Sequence, residues 1–113
     1  MKIYICNAFS LSMLDREKQT KNPVVKIVPL ELEDVKTILQ DVEVIAAVGH
    51  MNTAQIIAEK LGVPVENVYD RKTIKLEDQA GCIVAQYVGP RLPEGATSLP
   101  DGATIEWWGV FPQ

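Results

Sequence analysis

Val44-Ile45-Ala46-Ala47-Val48-Gly49-His50-Met51-Asn52-Thr53-Ala54-Gln55-Ile56-Ile57-Ala58-Glu59-Lys60-Leu61-Gly62 is the stretch that decides the fold class. Its first five residues form an unbroken apolar run ending at Gly49, as a buried strand does. From Met51 onward, Ala54, Ile57, Ala58 and Leu61 recur at helical spacing and would bury one face. Gly62 stands where a helix ends in the left-handed C′ position. A strand therefore turns directly into a helix at Gly49-His50. Backbone N–H groups and the positive end of the helix dipole gather at such a turn, and anions bind there. His50 is the chain's single histidine, and imidazole exchanges a proton near neutral pH. A proton-transfer group beside a phosphate cradle points to chemistry on a phosphate-containing ligand.

On the N-terminal side, residues 2–6 alternate as a strand. Asn7-Ala8-Phe9-Ser10-Leu11-Ser12-Met13-Leu14 ends it with small polar side chains. Residues 15–23 are charged and poor in apolar side chains, which predicts an exposed loop. Val24–Val28 reads as a second strand stopped by Pro29. Leu32, Val35, Ile38, Leu39 and Val42 fall at helical spacing, with acidic residues at the favourable end of the dipole. Residues 43–48 are the strand that leads into His50.

On the C-terminal side, Val63-Pro64-Val65 reads as a short extended piece, and Arg71–Leu76 alternates like a strand. Cys82–Val88 is a stronger strand. Gly89-Pro90-Arg91-Leu92-Pro93-Glu94-Gly95 is a stiff loop, and Pro100-Asp101-Gly102 signals a turn. Thr104–Phe111 makes the last strand. Trp107 and Trp108 are adjacent on it, so one faces inward and one outward; the outward one suits contact with a partner. The expected fold is α/β: a single domain over residues 1–113, with a mixed β-sheet of about five strands flanked by helices.

The chain has 113 residues, 47% hydrophobic and 23% charged, enough for one core. Its formal charge is −4. A non-specific binder of DNA or RNA would show a basic excess, so long nucleic acids are poor partners. No apolar run approaches the roughly 18 residues of a membrane span, and the start is too short in apolar residues for a signal peptide. The expectation is a cytoplasmic protein with no membrane partner. Cys6 and Cys82 lie in strand-like runs and read as two buried free thiols rather than a disulfide in that compartment. No CxxC, HxxxH or HExxH is present, so no metal site and no cofactor are expected.

Several side chains could carry chemistry, and each has a plainer reading. Gly49 would let a ligand approach the backbone closely. Asn52 and Thr53 cap the helix or present polar groups to the same ligand. Arg91 and Glu94 stand either as an exposed pair of charges or as a guanidinium that grips phosphate and a carboxylate that orients a hydroxyl or a histidine. Asn7, Ser10 and Ser12 are turn residues bonding their own backbone, or they bind sugar hydroxyls and base edges at a strand end. Arg71 reaches a phosphate or sits at a solvated edge.

Three of these pieces together resemble one family. Asn7-Ala8-Phe9-Ser10-x-x-Met13-Leu14, Gly49-His50-x-x-Thr53 and Arg91-Leu92-x-Glu94-Gly95 look like the small type III anti-CRISPR ring nucleases of archaeal viruses and bacteriophages and their relatives in bacterial CRISPR loci. The resemblance implies a homodimer with a central mixed sheet. It implies binding of cyclic tetra-adenylate at the dimer interface and metal-independent cleavage to linear di-adenylates, which switches off type III CRISPR signalling. The family's catalytic histidine falls on His50 and its loop glutamate on Glu94. Its arginine falls on Arg91, its N-terminal ligand-binding asparagine and serine on Asn7 and Ser10, and a further arginine on Arg71. Viral members carry asparagine where this chain has Ser12. Ser98–Gly102 leaves little room for the short helix that usually follows R-x-x-E-G.

The residues suit that chemistry. The ribose 2′-hydroxyl would attack the adjacent phosphorus in line, giving a 2′,3′-cyclic phosphate. His50 would protonate the leaving 5′-oxygen. Arg91 and the helix N-terminus would hold the phosphate, and Glu94 would orient His50 or the nucleophile. Two other functions fit the same residues: a non-catalytic protein that sequesters or senses a cyclic oligoadenylate, and an inhibitor that acts by protein contact. Metal-dependent hydrolysis fits poorly, because no second histidine joins the carboxylates.

Overall fold

The computed structural model describes every residue except 1, 15, 19–21, 77–79 and 97. Five strands and two α-helices follow in the order β1 (Lys2–Cys6), β2 (Val25–Leu30), α1 (Leu32–Gln40), β3 (Glu43–Ala46), α2 (Met51–Leu61), β4 (Ala80–Val88) and β5 (Thr104–Pro112). The sheet order is β2-β5-β4-β1-β3. β1 is parallel to both β3 and β4. β5 is antiparallel to β4 and β2. The mixed five-stranded sheet in one α/β domain agrees with the expectation.

Strand periodicity divides the sheet into two faces. Ile3, Ile5, Ile83, Ala85 and Trp107 point to the helix side, where Val35 of α1 and Ala54, Ile57, Ala58 and Leu61 of α2 close over them. Both helices thus lie on one face. Cys6, Cys82, Val84 and Val110 point the other way, and Ile74, Leu76, Phe9 and Met13 pack on them from irregular segments. Trp107 is buried on the helix face and Trp108 half-buried on the opposite one, which matches the expected inward and outward pair.

Local chemistry explains the helix ends. In α1 the Asp34 carboxylate accepts the Glu31 N–H at 2.9 Å, so the acidic front satisfies a donor that has no partner within the helix. α2 ends at Gly62, whose φ of 72° is left-handed and whose N–H reaches the Ala58 and Glu59 carbonyls.

Three local expectations fail. Pro29 does not stop β2, which runs from Val25 to Leu30 with Pro29 opposite Trp108. Among the described residues β2 is the sheet edge and pairs only with β5, so one side of it makes no ladder bonds there and proline fits. Arg71–Leu76 is not a strand; it makes one parallel bridge, Leu76 with Leu14. Its alternation is real, since Ile74 and Leu76 are buried, but it seals the helix-free face instead of joining the sheet. Val65 belongs to a 3-10 turn, Val65–Asn67, rather than to an extended piece. Of the loop expected at 15–23, Arg16–Lys18 is a 3-10 turn and Asn22 and Pro23 are exposed; residues 15 and 19–21 lie outside the described residues.

Candidate functional site

Because β3, β1 and β4 are adjacent and parallel, their carboxyl ends open at one edge of the sheet. That edge is where open α/β sheets hold ligands. β3 delivers Gly49 and His50, β1 delivers Asn7, and β4 delivers the loop with Arg91 and Glu94. Sequence segments more than 80 residues apart thereby meet at one end of the fold.

His50 is the N-cap of α2, with extended backbone (φ −118°, ψ 120°). Its carbonyl accepts the Ala54 N–H at 2.9 Å, but its side chain makes no capping bond. The imidazole is exposed and, among the described residues, makes no hydrogen bond or ion pair, beside the first-turn N–H groups. Asn52 and Thr53 stand half-buried in that turn. Val48 N–H donates to the Val68 carbonyl at 3.1 Å and Asp70 N–H to the Val48 carbonyl at 3.2 Å. This bridge lays the following chain against the turn. A Cβ built on Gly49 would meet only the Arg71 Cγ, at 3.9 Å. Packing therefore does not require glycine at position 49, and the Arg71 stem lies directly over it. Arg71, expected to open a strand, instead belongs to the His50 turn. The neighbouring Lys72 pairs with Asp70 at 3.1 Å.

Asn7 follows β1 at a bend, level with Ala85 of β4. It lines a groove of about 370 Å³ on the helix-free face with Phe9, Ile27, Val84, Gln86 and Trp108. Gln86 was not legible as a site residue, and the outward tryptophan reads from the sequence as a partner contact rather than as part of a groove. Gln86 interrupts an apolar strand, which is the one signal that marks it. Ser10 and Ser12 turn toward each other: their hydroxyls are 3.0 Å apart, and Ser12 N–H donates to the Ser10 Oγ at 3.3 Å. They behave as turn residues, and both stay exposed. Lys75 Nζ donates to the Ser12 carbonyl at 3.1 Å, and Leu76 N–H to the Met13 carbonyl at 2.7 Å, tying the segment to the Arg71–Leu76 stretch.

Arg91 and Glu94 are placed differently. β4 continues three residues past the level of Asn7 and pairs with β5 to its end, so the β4–β5 hairpin projects about 10 Å beyond the other strands. Gly89 (φ 151°) closes that hairpin, because a Cβ there would lie 2.8 Å from the Ala103 Cα. Tyr87 hydroxyl donates to the Pro90 carbonyl and fixes the root of the loop. Arg91, Leu92, Pro93 and Glu94 surround a shallow depression of about 500 Å³ that, among the described residues, no other segment lines. Among the described residues, no hydrogen bond or ion pair joins Arg91 or Glu94 to His50, or to each other. No group of three or more metal-ligating side chains occurs among the described residues, and no helix there is long and apolar enough to cross a membrane.

Comparison with known proteins gives the chain a family. B116 of Sulfolobus turreted icosahedral virus (STIV) superposes with a TM-score of 0.75 at 24% identity, over 98% of this chain and 99% of that one. At that identity the likeness is one of fold. No curated protein matches by sequence. The family model described as STIV B116-like matches residues 3–103, nearly the whole domain, and the chain therefore belongs to the STIV B116-like family.

Proposed function

We propose that this protein is a metal-independent ring nuclease that binds cyclic tetra-adenylate and cleaves it to linear di-adenylates, switching off type III CRISPR signalling. One observation carries this reading. His50 is an exposed imidazole that does no structural work, set at a helix N-terminus with Arg71 lying over Gly49 beside it. Helix N–H groups and a guanidinium attract a phosphate, and a free imidazole within that cradle can protonate a leaving oxygen. Asn7 and Gln86 supply amides, and Phe9 and Trp108 aromatic surface, of the kinds that hold adenine bases.

In this mechanism the enzyme aligns the 2′-hydroxyl with the phosphorus and stabilises the phosphorane charge. The 2′-oxygen–phosphorus bond forms as the bond to the 5′-oxygen breaks, and His50 gives the leaving oxygen its proton. Arg71 and the first turn of α2 hold the non-bridging oxygens. Arg91 and Glu94 stand on the projecting hairpin, lining a depression that no other described segment lines. A homodimer would let that hairpin reach the partner's His50 turn, with two equivalent phosphates of the ring facing two equivalent sites.

The test is incubation of the protein with labelled cyclic tetra-adenylate in EDTA, with larger and smaller rings alongside. Linear di-adenylates ending in cyclic phosphate are expected. A ring that stays intact but bound would replace the nuclease with a sequestering or sensing protein. A ring neither bound nor cut would defeat both and favour an inhibitor acting through protein contact.

A further inference from the structure

Outside the proposed site, one pair of reactive side chains has no part in it. Cys6 ends β1 and Cys82 is the third residue of β4. The register sets Tyr4 beside Cys82 and Cys6 beside Val84, so the two cysteines are diagonal neighbours on the helix-free face. Their sulfurs lie 2.6 Å apart, inside the contact distance of two sulfurs, and nothing intervenes. They are 2% and 0% exposed, among Ala47, Ile74, Leu76 and Val110. Cysteine often serves as a small apolar filler. A filler has no reason to turn its sulfur onto another sulfur 76 residues away in the chain.

We propose that Cys6 and Cys82 are a dithiol that a small peroxide converts into an intrachain disulfide. Both thiols are present in the free form here. Either sulfur can donate to the other; this contact, with a backbone bond from Ala8, holds Cys6 below the ordinary thiol range against the effect of burial. The same contact and burial push Cys82 up. Cys6 is therefore the thiol that loses its proton first and attacks. Its sulfur bonds to one peroxide oxygen, the O–O bond breaks, and the departing hydroxide takes the proton as water. The product is a sulfenic acid on Cys6. The Cys82 sulfur then attacks the Cys6 sulfur, the S–O bond breaks, and the hydroxyl leaves as water with the Cys82 proton. Two thiols and one hydrogen peroxide give one disulfide and two waters.

Burial selects the oxidant. The cover over the pair includes Phe9 and Met13, whose neighbours Ala8, Ser10, Leu11 and Ser12 are exposed, so among the described residues it is one chain thick. It is held at Leu76–Met13 and Lys75–Ser12. A peroxide can pass under such a strap, whereas a bulky disulfide must displace it. The cross-link would join the root of the Asn7 loop to the strand that carries Arg91 and Glu94. It would also close a loop of most of the chain in the unfolded state.

The experiment uses the full reduced chain. It is treated with a few-fold excess of hydrogen peroxide, alkylated with iodoacetamide in denaturant, and digested without reduction. The expected result is a linked Cys6–Cys82 peptide pair, released by reductant, in a protein whose Tm rises by on the order of 10 °C. In Cys82→Ser, Cys6 is expected to stop at the sulfenic acid and react with dimedone. Two cysteines still open to alkylation after peroxide would overturn the proposal. So would separate oxidation of each with no linked peptide. The wild-type peptide map decides the matter even if the variant does not fold.

Discussion

The turn at Gly49-His50 and the loop at Arg91–Glu94 rise from the same edge of one sheet but are held by different means. The first is rooted: β3 enters it, α2 leaves it, and Val48 bridges to the following chain. Behind it, Ala54, Ile57 and Ala58 are buried against the sheet. The second stands at the tip of a two-stranded arm, fixed at its base by Gly89 and Tyr87 and, among the described residues, lined by nothing outside itself. A rooted turn can hold a reacting group in place unaided. A projecting loop carries side chains to a place its own domain does not define, and a second copy is the natural receiver for it.

The largest expected effect separates chemistry from structure at the rooted end. His50→Ala should lower single-turnover cleavage of cyclic tetra-adenylate by about 100- to 10,000-fold while binding persists. Because the imidazole makes no capping bond, its removal should move stability by no more than about 0.5 kcal/mol in urea. Undiminished cleavage by that variant would remove His50 from the mechanism. The second effect concerns the arm. Glu94→Gln should also lose cleavage, again with stability within about 0.5 kcal/mol, since Glu94 is exposed. Mixing it with His50→Ala should restore about a quarter of wild-type activity, because half the dimers would be mixed and each would hold one intact composite site. No recovery on mixing would put both residues of a site in one protomer and erase the contrast between turn and arm.

Stability should show the opposite pattern. Ile57→Ala, at a fully buried position under the His50 turn, should cost about 2–5 kcal/mol by urea denaturation. A loss as small as that of Glu94→Gln would mean that the turn is not rooted in the core. The smallest effect belongs to the end of α2. Gly62→Ala should cost roughly 1 kcal/mol, because a Cβ meets no atom there but the backbone is left-handed. An unchanged midpoint would show that the helix ends without needing that conformation.

Legibility followed the range of the interactions involved. The strand-to-helix turn at His50 was legible because apolar run, glycine, helical spacing and terminal glycine all fall within twenty consecutive residues. Periodicity misled at Arg71–Leu76, where Ile74 and Leu76 alternate into the core without a neighbouring strand to complete a ladder. Pro29 misled for the converse reason: its effect depends on whether the strand lies at an edge, which only sheet order decides. Gln86 and Trp108 went unnoticed as groove residues because nothing adjacent in sequence sets them beside Asn7.

The α/β class, the strands read from Lys2, Glu43, Cys82 and Thr104, both helices, and His50 at a helix start all follow from the sequence. These follow from hydrophobic period and terminal residues, which act over a few neighbours. Tertiary structure alone decided the order β2-β5-β4-β1-β3, and with it everything that order brings together. It set Arg71 over Gly49, placed Asn7 in a groove with Gln86 and Trp108, turned Cys6 onto Cys82, and pushed Arg91 and Glu94 out on an arm. The physical reason is that a strand's side chains fix which of its residues face a core, whereas which strand lies beside it is settled by packing the whole chain at once.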